Sequence, residues 1–118
     1  MPNSTPWKFL IVEDEVEMLE QVKNLLEMKG HAVVACEDGT QAMDVFRKSK
    51  PDLVILDLGL PDMQGLEVLR SMRARNDRVP IVVLSSRDDE GAKVAALDLG
   101  ADDYVTKPFG MEELLARM

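Results

Sequence analysis

The stretch LVILDLGLPD, residues 53–62, places four apolar residues directly before an aspartate, Asp57, and follows it with a glycine and a proline. A short apolar run bounded by turn residues indicates a buried β-strand. Strands that are apolar on both faces are typical of a parallel sheet with helices on either side. The stretch therefore predicts an α/β domain, with Asp57 at the carboxyl end of a central strand.

The rest of the chain repeats this alternation of strand and helix, which predicts five βα units. We expect strands over 8–13, 31–36, 52–57, 80–85 and 102–106, and helices over 15–29, 39–49, 63–75, 89–99 and from 110 to the end. Gly30 and Gly100 stand where helices should end in the left-handed conformation. The segment 102–106 is shorter and more polar than the other strands, which favours an edge position.

Composition limits the classes of function. The 118 residues, 46% of them hydrophobic, fit one domain with one core. A formal net charge of -8 argues against direct binding of nucleic acid or an anionic membrane. The single cysteine, Cys36, lies in an apolar run and is interpreted as a buried structural thiol. With no signal-like start and no long apolar run, the chain is predicted to be cytoplasmic.

Polar residues follow three other predicted strands. Glu13 and Asp14 come after the first strand, Ser85 ends the fourth, and Lys107 follows the fifth. Because the carboxyl ends of parallel strands meet at one edge, we expect these side chains to converge on Asp57. Each residue alone is more often structural, as a helix cap, a turn residue or a surface charge. Their combination at one edge favours a functional site.

The chemistry of this set points to phosphoryl transfer. The carboxylates of Glu13, Asp14 and Asp57 would repel one another unless a cation neutralised them. An all-oxygen set selects a hard ion, and Mg²⁺ fits best because it accepts few carboxylates and retains water and phosphate ligands. A carboxylate such as Asp57 can attack a phosphoryl group and form an acyl phosphate. Lys107 then supplies a positive charge and Ser85 a hydroxyl donor.

Four motifs in order resemble the receiver domain of two-component response regulators over about residues 7–118. They are VEDE at 12–15, LDLGLPDMQG at 56–65, LSS at 84–86 and GADDYVTKPF at 100–109. The resemblance implies a flavodoxin-like (βα)5 fold with a five-stranded parallel sheet, order 2-1-3-4-5, and helices on both faces. It also implies that residues 1–118 form one receiver domain and that any effector domain lies beyond residue 118.

The resemblance assigns roles in the acidic site. A sensor histidine kinase would phosphorylate Asp57. Mg²⁺ would bind the side chains of Asp14 and Asp57 and the backbone carbonyl of Gly59, with Glu13 acting mainly through water. The domain would not be an enzyme beyond self-phosphorylation from a phosphodonor and autodephosphorylation.

The resemblance also assigns the residues that respond to phosphate. Lys107 would hold a phosphoryl oxygen, and its bond to Pro108 would be cis. Ser85 and Tyr104 would form a switch pair, in which the hydroxyl moves toward phosphate and the aromatic ring fills the vacated space. Ser85 replaces the more usual threonine, which keeps the hydroxyl and loses a methyl contact.

Charged residues in the last third resemble the dimer face of OmpR/PhoB-like transcription regulators. This implies a homodimer on phosphorylation and contact with DNA through an effector domain outside the segment. The residues are Lys93, Asp98, Asp102, Asp103, Glu113 and Arg117. The apolar helical pattern of residues 111–118 still runs at the last residue, so we expect the segment to be part of a longer protein.

Small residues, Gly59 and Ser86, and the basic Arg87 are expected at the mouth of the site, where they would change access by water or a phosphatase. Three alternative functions make different demands on the sequence. A haloacid-dehalogenase-type phosphatase needs a second acid two residues after the nucleophile, where Gly59 stands. An FMN-binding flavodoxin needs a phosphate loop after the first strand, where the sequence is acidic. A phosphorylation-independent interaction domain stays open.

Overall fold

The computed structural model describes residues 6–60, 62, 64–76, 78–86, 90–107, 110, 113–114 and 116. The strands are β1 Lys8–Val12, β2 Ala32–Cys36, β3 Leu53–Asp57, β4 Ile81–Ser85 and β5 Asp103–Thr106. The helices are α1 Val16–Met28, α2 Gly39–Ser49, α3 Gly65–Arg75 and α4 Glu90–Asp98. Each predicted boundary of these nine elements is confirmed to within two residues. The predicted fifth helix falls mostly outside the described residues; of its four described members, 113, 114 and 116 are helical and 110 is not.

The sheet is parallel throughout, in the order β2-β1-β3-β4-β5, which confirms the predicted flavodoxin-like topology. In this order β3 lies at the centre and β5 at one edge, as predicted. Val12 pairs with Leu56, and Asp57 pairs with Leu84. The carboxyl ends of β1, β3 and β4 therefore reach the same edge at nearly the same height.

Two apolar layers cover the two faces of the sheet. One layer contains Leu10 of β1 together with residues of α2, α3 and α4. The other contains Phe9 of β1 together with residues of α1 and with Leu114. Successive strand residues point to opposite faces, so both faces are apolar, and every residue of β3 and β4 is buried. This fixes the strand ends from which the polar residues project.

The glycine and cysteine predictions are confirmed. Gly30 and Gly100, which follow α1 and α4, have φ of 92° and 112°, the left-handed region that favours glycine. Cys36 is buried at the end of β2. Among the described residues, no helix combines the length and apolarity needed to cross a bilayer.

A polar cluster, here called the Arg73 staple, joins four elements at the amino ends of the strands. The Arg73 guanidinium donates to the carbonyl oxygens of Gly100, at 2.6 and 3.0 Å, and Val79, at 2.7 Å. It also pairs with Asp102 at 3.1 Å. The Asp102 carboxylate in turn accepts the Ile81 N–H at 2.7 Å. The staple ties the end of α3 to the starts of β4 and β5 and to the turn after α4.

Candidate functional site

The residues predicted to converge do so. Glu13, Asp57 and Ser85 are almost completely buried at the ends of β1, β3 and β4, and Asp14 is exposed beside them. Backbone hydrogen bonds between strands set these positions. The Glu13 N–H donates to Cys36 O at 3.0 Å, which extends the β1–β2 pairing by one residue. The polar group therefore stands on the rigid end of the sheet.

The three acids can share one ion. A carboxylate oxygen from each of Glu13, Asp14 and Asp57 lies within 4.8 Å of the others. The Glu13 Oε1 atom is buried, and Lys107 Nζ lies 2.9 Å from it. The exposed Asp14 opens the cluster to water. An oxygen set of this kind fits Mg²⁺, which keeps several waters in its shell.

Lys107 supplies the positive charge of the site. Its Nζ lies 2.9 Å from Glu13 Oε1, in the geometry of an ion pair, and 3.5 Å from Asp57 Oδ2. Its backbone N–H donates to Ser85 O at 2.8 Å, which fixes the residue at the end of the sheet. Burial lowers the pKa of Lys107, but the hydrogen bond to Glu13 and the charge of Asp57 outweigh it, so that its pKa is raised. The side chain therefore stays an ammonium group.

Glu13 is the acid that most resists ionisation. Burial, reinforced by the Asp57 carboxylate, raises its pKa to about 7, against the opposing effects of Lys107 and the Glu15 N–H. Near neutral pH, a proton and a metal ion therefore compete for this side chain.

A cavity of about 550 Å³ opens on Asp57 and is lined by Ser85, Ser86 and the loop after β3. Gly59 is exposed on this loop, and its N–H donates to Asp57 Oδ1 at 3.2 Å. The predicted small residues, Gly59 and Ser86, do line the approach to the carboxylate. Arg87, which we also expected there, lies outside the described residues. The cavity leaves room for a phosphoryl donor to reach Asp57.

Gly65 closes the loop after β3, a role that the sequence interpretation missed. Its N–H donates to Leu58 O at 3.1 Å. A Cβ at this position would lie 2.3 Å from Leu58 Cα, too close for any side chain. Gly65, the last residue of the LDLGLPDMQG motif, is thus required because the backbone of Leu58 approaches it too closely for a side chain.

Tyr104 is buried although it lies on the edge strand β5. It pairs with Val83 of β4, two residues before Ser85. Residues two apart on a strand share a face, so Tyr104 and Ser85 lie on the same side of the sheet. The Lys93 Nζ of α4 lies 6.0 Å from the centre of the tyrosine ring. The expected switch residues are therefore close along one face. The Lys107-Pro108 bond involves a residue outside the described ones.

Comparison with known proteins decides the family. A family model described as the response regulator receiver domain matches residues 9–118. The chain belongs to the response regulator receiver domain family. Membership confirms the resemblance inferred from the four motifs, and it decides against the phosphatase and flavin-binding alternatives. It also accounts for the acidic cluster, because receiver domains bind Mg²⁺ at an acidic pocket.

The receiver is similar to proteins from several bacteria. It is 44% identical over 113 residues to a response regulator MprA of Mycobacterium sp. (strain KMS), covering 96% of this chain and 49% of that protein. The chain thus spans about half the length of the curated relatives it matches. The BeF3-activated N-terminal receiver domain of Klebsiella pneumoniae RstA is 35% identical, with a TM-score of 0.87 and 93% of each chain covered. The non-phosphorylated HemR receiver domain of Leptospira biflexa is 29% identical, with a TM-score of 0.89, covering 96% of this chain and 90% of that one.

The charged residues expected on a dimer face occupy different environments in the receiver. Lys93 and Asp98 are exposed on α4, and Glu113 is exposed in the described part of the last segment. Asp103 is half-buried at the start of β5, where it accepts the Tyr104 N–H at 2.8 Å. Asp102 is engaged in the Arg73 staple. The sixth expected residue, Arg117, lies outside the described residues.

Proposed function

We propose that this receiver is phosphorylated on Asp57 by a sensor histidine kinase in the presence of Mg²⁺. The observation that carries the proposal is the position of Lys107 Nζ, 3.5 Å from a carboxylate that opens onto a cavity. A buried carboxylate beside a fixed ammonium group and a metal-binding pair of acids is suited to receive a phosphoryl group.

In the proposed reaction, a carboxylate oxygen of Asp57 attacks the phosphorus of a phosphohistidine on the kinase. The phosphorus–nitrogen bond breaks, an acyl phosphate forms, and the released imidazole nitrogen takes up a proton. Lys107 moves from its ion pair with Glu13 to a phosphoryl oxygen, and Ser85 donates its hydroxyl to another. Bound Mg²⁺ would neutralise charge on the phosphoryl oxygens.

The metal would be held by the side chains of Asp14 and Asp57 and by the Gly59 carbonyl, with Glu13 acting mainly through water. Asp57 can serve both the metal and the phosphoryl group because a carboxylate has two oxygens. The spacing of the three carboxylates supports this assignment.

Phosphorylation would act on a surface at some distance from Asp57. A phosphoryl group adds a charge of about -1.5 to -2, which the Ser85 and Tyr104 pair would convert into a rearrangement near α4 and β5. We propose that this rearrangement favours a homodimer through the charged face formed by α4, β5 and the segment after it. The burial of Tyr104 beside Lys93 supports a link between the switch pair and that face.

The output is proposed to be transcription. Relatives named response regulator MprA are about twice as long as this chain, and one similar structure is described as an N-terminal receiver domain. We therefore propose a cytoplasmic regulator of the OmpR/PhoB type, in which a separate effector domain contacts DNA. The acidic receiver itself would not bind nucleic acid or a membrane.

Intact mass spectrometry tests the acceptor. The chain and its Asp57→Asn variant are each incubated with acetyl phosphate, with and without Mg²⁺. We expect an increment of one phosphoryl group only in the unmodified sequence and only with Mg²⁺. The same increment in the variant would move the acceptor to another residue. No increment in either, with both proteins folded and magnesium bound, would contradict phosphorylation by a small-molecule donor.

A further inference from the structure

The loop between β3 and α3 makes an unexpected contact with α2. The Asp62 carboxylate accepts the Gly39 N–H at 2.7 Å on one oxygen. Its other oxygen accepts the Thr40 N–H at 2.9 Å and the Thr40 hydroxyl at 2.7 Å. These partners lie more than twenty residues away in the sequence, so an acid of one loop caps the helix of another unit.

The start of α2 depends on two aspartates with separate tasks. Asp38, the residue before the helix, accepts the Gln41 N–H at 2.8 Å. Asp62 satisfies the two preceding N–H groups, which a local cap does not reach. The positive end of the helix dipole stabilises both carboxylates. Of the two acids, Asp62 alone belongs to the loop that lines the phosphoacceptor cavity.

The same loop is fixed at its two ends by the backbone. The Leu58 N–H donates to Leu84 O at 3.2 Å, and the Gly65 N–H donates to Leu58 O at 3.1 Å. Between these points lie Gly59, which borders Asp57, and Asp62, which reaches across to α2. The hydrogen bond from the Gly39 N–H has the largest effect on the pKa of Asp62. Together with the hydrogen bonds from Thr40, it lowers this pKa to about 2. The contact is thus made by a carboxylate that stays ionised at any physiological pH.

We propose that Asp62 is a positioning residue, which holds the β3–α3 loop against α2 so that the loop presents its backbone to Mg²⁺ beside Asp57. The inference rests on the proposed function of that site. Because coupling between two sites is reciprocal, metal binding at the loop also stabilises the first turn of α2. The stability of the first turn of α2 should therefore depend on whether Mg²⁺ is bound beside Asp57.

Three variants separate position from charge and from helix capping. Asp62→Ala removes the contact, Asp62→Asn keeps an oxygen acceptor without the charge, and Asp38→Ala removes the other cap of the same helix. Calorimetric titration with MgCl₂ gives the affinity of each. We expect Asp62→Ala to bind Mg²⁺ about tenfold more weakly, as for the loss of a residue that orients metal ligands. Asp38→Ala should stay within about threefold of the unmodified chain, and Asp62→Asn, whose amide offers one accepting oxygen where Asp62 offers two, should fall between the two alanine variants.

Hydrogen exchange at the amides of Gly39 and Thr40 gives a second readout. Mg²⁺ should slow exchange at both amides in the unmodified chain and in Asp38→Ala, and it should have no effect in Asp62→Ala. Equal affinities for Asp62→Ala and Asp38→Ala would overturn the inference alone. A failure of the unmodified chain to bind Mg²⁺ would overturn the proposed function together with the inference.

Discussion

Glu13 and Lys107 form a charge pair in the site, and the proposed phosphorylation would give Lys107 a new partner. The ammonium group lies 2.9 Å from Glu13 Oε1, and this opposite charge offsets part of the cost of burying the acid. Even with this partner, burial raises the pKa of Glu13 to about 7. A cation bound at the proposed site would therefore compete with a proton and with Lys107 for the Glu13 carboxylate.

The raised pKa of Glu13 predicts a stability that depends on pH. A carboxyl with a raised pKa contributes stability that is fully present below its ordinary pKa of about 4.5 and is lost as pH rises through 7. Glu13→Gln mimics the protonated form at every pH. Without Mg²⁺, we expect it to unfold with a free energy up to about 3 kcal/mol higher than the unmodified chain at pH 8, and with little difference at pH 4.5.

Urea denaturation in EDTA at several pH values measures the difference. Glu20→Gln, which changes an exposed acid of α1, should follow the unmodified chain throughout. A stability difference between Glu13→Gln and the unmodified chain that is constant with pH would contradict the raised pKa of Glu13.

Cys36 should behave as an inert thiol. Burial, with a smaller effect of the Asp38 charge, raises its pKa to about 11. At pH 8 only about one molecule in a thousand then carries the reactive thiolate. We expect negligible labelling of the native chain by a disulfide reagent and rapid labelling in urea. Since this is the single cysteine, rapid native labelling would show directly that the end of β2 opens.

At the scale of secondary structure elements, polar side chains join neighbouring elements at both ends of the sheet. The carboxyl ends carry the acids and the lysine, while the amino ends carry the Arg73 staple. The staple adds to the backbone pairing where β4 and β5 begin. The Asp102 N–H donates to Ile81 O at 2.8 Å, and its carboxylate accepts the Ile81 N–H while it pairs with Arg73. The ends of the sheet thus have different functions.

The staple predicts unequal effects of two arginines on one helix. Arg73→Ala removes the side-chain donor of three carbonyl oxygens, those of Asn76, Val79 and Gly100, and the charged partner of Asp102. This should lower the free energy of unfolding by about 3 kcal/mol. Arg70→Ala removes an exposed pair with Glu67 at 3.6 Å and should cost less than about 1 kcal/mol. Thermal and urea denaturation measure both. Equal losses would show that the staple adds no more than a surface ion pair.

The elements themselves could be predicted from the sequence because they depend on local patterns. Apolar runs of four residues and glycines such as Gly30 and Gly100 mark their limits. Convergence of the site residues followed from topology, since parallel strands end at one edge. The contact of Asp62 with α2 and the role of Asp102 could not be predicted. Both join distant segments through side chains whose directions depend on packing, and acids at those positions fit a solvated surface equally well.

At the scale of the whole molecule, the receiver is a single unit with a radius of gyration of 13.0 Å. The sheet edge that carries Asp57 and the proposed dimer face are adjacent. Tyr104 of β5 lies between them, and Lys93 of α4 is placed against its ring. Asp102 is already paired with Arg73, so we expect it to contribute less to a dimer than Lys93 or Asp98.

The proposed dimer face predicts a charge-reversal effect. After treatment with acetyl phosphate and Mg²⁺, Lys93→Glu should weaken a phosphorylation-dependent dimer by at least tenfold, because it places a negative charge in a face that pairs opposite charges. Arg47→Glu, an equal change on α2, should leave the dimer constant unchanged. Sedimentation velocity measures both. Equal weakening would place the interface elsewhere or indicate a general effect of net charge.

The Arg73 staple lies at the end of the sheet farthest from Asp57, and this has a consequence for adaptation. A lineage moving to a hotter habitat can strengthen the staple without disturbing the speed at which the receiver gains or loses phosphate. A lineage changing its kinase can alter the sheet edge that carries Asp57 without melting the protein. Heat tolerance and partner choice can therefore evolve on opposite ends of one small domain.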